Sequence, residues 1–147
     1  MAAELTGSYD PSQVIVTIGG VIVSGFSDGD SIVVRRNEDA YSMRAGNDGG
    51  IGRARNPNMS GEFEFRLLQT SGANAALSAL VATDDLTNQG LPTFPIQVLD
   101  GSGFSLAIAS QCWIKTVPEM TFGKEVGERT WVFSGADVRM FHGGNSA

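Results

Sequence analysis

Residues 62–67 read EFEFRL, a strict alternation of charged and apolar side chains. Because successive side chains of an extended chain point to opposite faces, Phe63, Phe65 and Leu67 fall on one side and the charged residues on the other. This pattern predicts a strand with one face in a core and one face outside it. Such a strand requires a surrounding sheet, so the rest of the chain is expected to supply one.

Other short runs supply the neighbouring strands. The runs QVIVTI (13–18) and VIV (21–23) are separated only by Gly19-Gly20, a pair typical of a two-residue hairpin turn. Further strand-like runs cover 31–35, 96–99, 104–113 and 129–141, the last with a break at Gly135. A single helix is predicted at about 71–83, with Ser71 as its N-cap. We place its end near Thr83 because Asp84 and Asp85 would be unfavourable near the negative end of a helix dipole.

These elements predict a mostly β fold. We expect a β-sandwich or small barrel of antiparallel strands, with one flanking α-helix (about 71–83) and a long inter-strand loop (about 45–61). The 147 residues fit a single domain, with loose ends at 1–8 and 143–147. The side chains expected in the core are those of Phe63, Phe65, Leu77, Leu80, Trp113 and Trp131.

The residue types that carry catalysis are scarce. His142 is the only histidine and lies six residues from the end of the chain, a poor position for a general base. Cys112 is the only cysteine and falls within a strand pattern, where a buried, inert thiol is expected. One His and one Cys cannot form a zinc site, and the segment at 49–52 lacks the spacing of a dinucleotide-binding loop. We therefore predict no catalytic, metal or cofactor site and no enzyme activity.

Charge and targeting signals narrow the function further. The formal net charge of −6 opposes a general nucleic-acid binder, which normally presents a basic face. Six of the ten basic residues nevertheless fall between positions 35 and 66. The N-terminal residues lack the pattern of a signal peptide, and no apolar run reaches the roughly 20 residues of a membrane helix. Synthesis in the cytoplasm and no membrane anchor are expected.

The segment AGNDGGIGRARNPNMSG (45–61) is a long polar insert between two strands. A long irregular loop in a compact domain is usually functional or disordered, and the guanidinium groups of Arg53 and Arg55 suit carboxylate partners. We interpret the segment as one that becomes ordered on docking to another subunit; a mobile loop without a partner is the alternative. Its proposed contact residues are Asn47, Asp48, Gly49, Gly50, Ile51, Arg53, Arg55, Asn56 and Met59.

Three long stretches resemble the tail tube proteins of contractile-tailed (myovirus-type) bacteriophages. They are YDPSQVIVTIGGVIVSGFSDGDSIVVRRNEDAYS near the start, GGIGRARNPNMSGEFEFRLLQTSGANAALSAL in the middle, and FGKEVGERTWVFSGADVRMFHGGN at the end. The resemblance runs from about Tyr9 to Asn145 and preserves the order of the elements. Its specificity lies in the joint pattern, since each piece alone is weak.

The resemblance implies a structural virion protein that forms hexameric rings. These rings would stack into the inner tube of the tail, through which DNA passes during ejection without specific binding. It also implies tail sheath, tape-measure, baseplate and tail-terminator proteins as partners, and a location in the virion tail after assembly in the host cytoplasm. Loops reaching from ring to ring are expected, and 45–61 is the candidate. Glu62, Glu64 and Arg66 are candidates for charges of the lumen or of an interface, and an acidic lumen would let phosphates slide past.

Two other functions remain open from the sequence. A tube subunit of a tailocin or of a type VI-like secretion apparatus would share the fold and the ring assembly. A monomeric β-sandwich that binds a ligand such as a carbohydrate belongs to another class, but its usual cluster of exposed aromatic residues is not evident.

Overall fold

A computed structural model of the chain describes residues 3–5, 7–87 and 93–144. The elements run in the order β1 (Val14–Ile18), β2 (Val21–Val23), β3 (Ile32–Arg36), β4 (Tyr41–Ala45), β5 (Ile51–Arg55), β6 (Gly61–Leu68), α1 (Ala73–Thr87), β7 (Phe94–Asp100), β8 (Ser105–Thr116), β9 (Glu128–Gly135) and β10 (Arg139–Phe141), with a short 3₁₀ turn at Pro11–Gln13 before β1. The mostly β fold with one α-helix is therefore confirmed. The expected loose ends fall partly on residues 1, 2, 6 and 145–147, which lie outside the described residues.

Eight strands form one antiparallel sheet in the order β2-β1-β7-β8-β9-β6-β3, with β10 added beside β8. β8 is the long strand that joins its two halves: Leu106–Ile108 pair with β10, whereas its later part, from Cys112, pairs with β9. The inner faces of the two halves share one core, in which Val16 and Ile96 from one half pack with Phe63 and Phe133 from the other. The sheet is sandwich-like and does not close into a barrel.

The predicted hairpin turn and the predicted alternating strand are both present in the structure. Gly19 and Gly20 have φ values of 57° and 87°, the two positive values of a primed hairpin turn. Along β6 buried and half-buried residues alternate over the whole strand, so the predicted strand is confirmed. Its inner aromatic rings belong to a cluster in which the Phe65 centroid lies 6.2 Å from that of Phe63 and 5.8 Å from that of Phe133.

The helix closes one side of the core. Leu77 is buried, and Leu80 packs against the core while half-buried. Asn74 bridges the helix to two strands, since its Oδ1 accepts a hydrogen bond from Trp131 Nε1 at 3.0 Å and its Nδ2 donates to the Leu68 carbonyl at 3.0 Å. The Ser71 hydroxyl accepts from the Ala73 amide at 3.3 Å, which is the predicted capping contact.

Three details of the sequence prediction are wrong. The helix continues to Thr87, past the expected end near Thr83, so the acidic pair lies inside it. Trp113 is 45% exposed and not a core residue, because an irregularity in the β7–β8 pairing separates the buried Ala109 from the buried Cys112 by three positions and turns Trp113 outward. Finally, 45–61 is not a loop throughout: residues 51–55 form β5, which pairs with β4.

Candidate assembly surfaces

The β4–β5 hairpin is a separate two-stranded sheet that extends from one end of the main sheet. We call residues 41–55 the arm. All ten residues of β4 and β5 are exposed. The arm continues the β3–β6 pair outward, because Arg36 is the last residue of β3 paired to β6 and Asn56 N donates to the Ala40 carbonyl at 2.8 Å. A hairpin with both faces exposed has no core of its own, and isolated two-stranded hairpins are marginally stable at best.

The turn of the arm is fixed by local chemistry. Gly46 N donates to the Gly50 carbonyl at 2.8 Å, and Asp48 Oδ1 accepts from Gly50 N at 3.0 Å. Gly49 has a φ of 85°, a value that favours glycine. The predicted contact residues Asn47, Asp48, Gly49 and Gly50 therefore form the tip of the arm.

The base of the arm is held by asparagines. Asn56 Nδ2 donates to Glu38 Oε2 at 2.7 Å, and Asn56 Oδ1 and Asn58 Oδ1 accept from the backbone two residues ahead. The hydrogen bond from Asn56, followed by one from Asn58, lowers the pKa of Glu38 below its ordinary value. Met59 belongs to the body, because its carbonyl accepts from Val138 N at 2.8 Å. The segment rich in Gly and Asn is therefore an ordered connection.

The two faces of the arm differ in character. In the register of the hairpin, Tyr41 lies opposite Arg55, Met43 opposite Arg53 and Ala45 opposite Ile51. These six residues share one face, on which Met43 is 71% exposed and Ile51 66% exposed. The Arg53 guanidinium lies 4.9 Å from the centre of the Tyr41 ring. The other face carries Ser42, Arg44, Gly52 and Ala54. The first face thus combines large apolar groups with cations, and we call it the contact face of the arm.

The outer face of the main sheet carries a five-charge cluster formed by Arg35, Glu62, Glu64, Arg66 and Lys115. Arg35 Nη2 lies 3.0 Å from Glu62 Oε2, and Arg66 Nη2 lies 3.4 Å from Glu64 Oε2. Lys115 Nζ also bonds Glu62. The hydrogen bond from Lys115 is the main reason why the pKa of Glu62 is lowered, and Arg35 adds to it. Both carboxylates are paired within the protomer, so this cluster of three cations and two carboxylates has a formal charge of +1 and contributes no unpaired acid.

A groove lies at the end of the sheet opposite the arm. The connection between β8 and β9, residues 117–127, is stacked beside α1 and encloses a groove of about 390 Å³. Its lining includes Asn74, Val117, Met120, Phe122 and Trp131. Met120 and Phe122 are 78% and 75% exposed. Sequence reasoning missed this surface, although four large apolar residues within ten positions of a segment with Pro and Gly were a usable signal.

Arg129 pins the 117–127 segment in place. Its Nη2 donates to the Thr121 carbonyl at 3.1 Å, and its guanidinium carbon lies 5.7 Å from the Phe122 ring centre. Directly after β6, Gln69 N donates to the Gly127 carbonyl at 2.9 Å, and Gln69 Oε1 accepts from Gly127 N at 3.1 Å. The groove is therefore bounded by an anchored segment.

The groups considered for catalysis are separated. Cys112 is buried, and burial raises the pKa of its thiol to about 11, so it stays protonated at neutral pH. His142 is exposed beyond β10. Within 3–5, 7–87 and 93–144, no three His, Cys, Asp or Glu side chains come together as a metal site. No helix in the same ranges has the length and apolar character needed to cross a membrane.

Comparisons with known proteins place this geometry in context. A family model described as bacteriophage PhiTE tail tube protein matches residues 8–143. A curated relative, structural protein ORF10 of Pseudomonas phage KPP10, is 29% identical over 149 residues, which cover 97% of this chain and 86% of the relative.

Solved structures share the fold at low sequence identity. The tube-terminating cap of the anti-feeding prophage aligns with a TM-score of 0.65 at 11% identity, covering 97% of this chain and 96% of the cap. The sheath/tube terminator of an extracellular contractile injection system (PVC) aligns at 0.64 and 13%, covering 95% and 99%. A chain of the sheath-tube complex of that system aligns at 0.62 and 12%, covering 92% of each. At these identities the structural matches establish the fold alone.

Proposed function

The chain belongs to the bacteriophage PhiTE tail tube protein family, and we propose on that premise that it self-assembles into stacked hexameric rings forming the inner tube of a contractile tail. The family is structural and not enzymatic, and a tube or tube-terminator role in a phage tail follows from it. We further propose that the stacked rings conduct DNA during ejection. The fold neighbours include a sheath/tube terminator and a chain of a sheath-tube complex, which supports a sheath and a terminator as partners of this tube; tape-measure and baseplate proteins complete the proposed set.

One observation supports assembly most directly, namely the arm. Its two strands are exposed on both faces, and the outer edge of each strand carries unpaired backbone groups. Natural proteins protect such edges or use them for pairing with another chain. A ring assembly provides many copies of the required surface at fixed positions, so the arm would find a partner on a neighbouring subunit.

The test is assembly of the purified chain with and without the arm. Light scattering coupled to size exclusion, with negative-stain images of the same fractions, is expected to show rings and hollow rods of uniform width. For the matched variant, residues 41–55 are replaced by two glycines. Ala40 and Asn56 are already hydrogen-bonded at 2.8 Å, so a short turn can close the gap.

The arm-deleted variant is expected to retain the circular-dichroism spectrum of a folded sheet but to form no rods. Rods of normal width formed by the arm-deleted variant would show that the arm is not needed for assembly. Wild-type chains that stay monomeric even when mixed with preformed tail tubes would contradict self-assembly itself.

A tube terminator is a second candidate, because two of the fold neighbours are a tube-terminating cap and a sheath/tube terminator. The two functions differ in whether association continues. A terminator would form a single ring and stop, whereas a tube subunit would add ring upon ring. Single rings at every protein concentration would therefore favour the terminator, and concentration-dependent lengthening would favour the tube. A tailocin or type VI-like tube would behave as the phage tube does in this assay.

A further inference from the structure

We propose that the contact face of the arm docks into the groove beside residues 117–127 of a second copy of this chain. This inference rests on the proposed self-assembly and goes beyond it by naming the receiving surface. It commits to one occupant of the groove: the Tyr41, Met43 and Ile51 side chains of a neighbouring arm.

The first argument is position. β6 begins at Gly61, beside the base of the arm, and ends at Leu68, which pairs with Glu128 directly after the groove segment. Eight residues of strand separate the two ends by about 24 Å. The arm and the groove therefore lie at opposite ends of one strand pair. Two surfaces of this kind on one molecule make a head-to-tail contact that leaves a free arm and a free groove, so association continues from copy to copy.

The second argument is apolar complementarity. The contact face of the arm exposes Met43 and Ile51 on a hairpin with no core of its own. The groove exposes Met120 and Phe122 around a volume of about 390 Å³, near the lower end of the roughly 300–1,000 Å³ of ordinary binding pockets. Both surfaces therefore expose large apolar side chains, one on a two-stranded hairpin and the other around an open groove.

The third argument is charge. The arm carries Arg44, Arg53 and Arg55 against the single carboxylate of Asp48. Residues 117–129 carry the three carboxylates of Glu119, Glu125 and Glu128 against the two cations of Lys124 and Arg129, and Glu119 lines the groove itself. Arg129 is already occupied by the Thr121 carbonyl and the Phe122 ring. The arm thus has a net positive charge and the 117–129 stretch a small net negative charge, which favours contact between the two and disfavours arm-to-arm contacts.

Cysteine crosslinking tests the contact directly. Chains with Met43→Cys and chains with Met120→Cys are mixed under mild oxidation, and a covalent dimer is expected mainly in the mixture. The matched control replaces Met120→Cys by Leu5→Cys, at a side chain that is 74% exposed and remote from the groove segment in sequence. Equal dimer yields with both partners would overturn the proposal. The buried Cys112 remains in every chain, so any crosslink through its thiol contributes equally to the test mixture and to the control.

Charge exchange provides an independent readout. Arg53→Glu with Arg55→Glu, or Glu119→Arg with Glu125→Arg, is expected to raise the concentration needed for rod formation by about tenfold or more. Combining all four substitutions in one chain restores opposite charges and is expected to bring that concentration back toward the wild-type value. Glu4→Arg, a charge reversal of the same kind outside both surfaces, is expected to leave it unchanged.

The outcomes separate this inference from the proposed function. If the wild type forms rods and the variant with Glu119→Arg and Glu125→Arg assembles equally well, the groove assignment is overturned while the tube proposal stands. Failure of the fourfold variant to recover, with both double variants folded, would also overturn the pairing of arm and groove. Absence of any wild-type assembly would overturn the tube proposal and the docking proposal together.

Discussion

Gly61 is the first residue of β6, beside the base of the arm. Replacing it by alanine tests how much steric overlap lowers stability, relative to the effect of losing a glycine from the unfolded chain. A Cβ at this position would lie 2.4 Å from the Arg35 carbonyl oxygen and 2.9 Å from Val138 Cγ2. The oxygen belongs to backbone of the paired strand and cannot rotate away, so the pairing of β3 with β6 must open. Gly52, in the β5 strand of the arm, meets no atom within 4 Å and has no positive φ. Gly52→Ala is therefore the matched control for Gly61→Ala.

The expected magnitudes follow from these contacts. Overpacking costs about 1–3 kcal/mol, whereas replacing a compatible glycine by alanine stabilises by about 0.4–1 kcal/mol through the unfolded chain. Gly61→Ala is thus expected to lower the free energy of unfolding by about 1–2 kcal/mol once both effects are combined. For a chain of this size that corresponds to a fall in Tm of about 2–8 °C. Gly52→Ala is expected to leave Tm unchanged or to raise it slightly.

The assay is thermal and urea unfolding of both variants, followed by circular dichroism at falling protein concentration. Dilution matters because assembly would add stability that depends on concentration, so the comparison is made where the midpoint no longer changes. Equal shifts for the two variants would refute the reasoning, because the same substitution would then cost the same with and without an obstructing carbonyl. A stabilised Gly61→Ala would show that β3 and β6 separate without penalty.

Three further predictions concern single side chains. Asn74→Ala leaves the buried Trp131 N–H without its partner and is expected to cost about 1–3 kcal/mol in urea unfolding; a loss no larger than that of Asn47→Ala in the exposed turn would contradict this. Because ion pairing lowers the pKa of Glu62, its ionised form stabilises the fold at neutral pH, and that stability is lost as the pH falls below about 4.5 through the folded pKa. Lys115→Met is expected to reduce this acid-dependent loss by about 0.2–1 kcal/mol, since the Lys115 side chain is half exposed, and an unchanged pH profile of unfolding would exclude the pairing. The Cys112 thiol, with a pKa raised to about 11, is expected to react with a thiol reagent at pH 8 only after denaturation, and fast reaction of the native chain would show that the core is open there.

Some elements could be predicted because their signal is local. The alternation in β6 and the Gly19-Gly20 turn are visible in the residues themselves, since strand periodicity and turn chemistry act over two to six positions. The helix start was also readable from Ser71. Its end was not, because the predicted cost of two acids near the C-terminus is a small term of about 0.3–1 kcal/mol that the rest of the structure overrides.

The candidate surfaces depend mainly on contacts between segments, which the local signals of strands, turns and helices do not give. β5 reads IGRAR, which has little strand character, and its strand conformation depends on pairing with β4 across the turn at 46–50. Trp113 was misplaced because one irregularity in β8 reverses which side chains face the core. The groove joins a helix and a strand connection that lie about forty residues apart in sequence, so only the fold brings them together.

The arm also changes the expected physics of assembly. A segment that becomes ordered only on docking loses conformational entropy at that step, at about 1–2 kcal/mol per residue for the backbone. The hydrogen bonds of the β4–β5 ladder, the Asp48 turn and the Asn56 contacts exist already in the single chain. Most of that entropy is therefore lost during folding and not during association, so each weak apolar and ionic contact of the arm contributes more fully to binding. A preformed arm would allow a surface with only three large apolar side chains to serve the proposed head-to-tail contacts, and the asparagines at its base contribute to that preformed state.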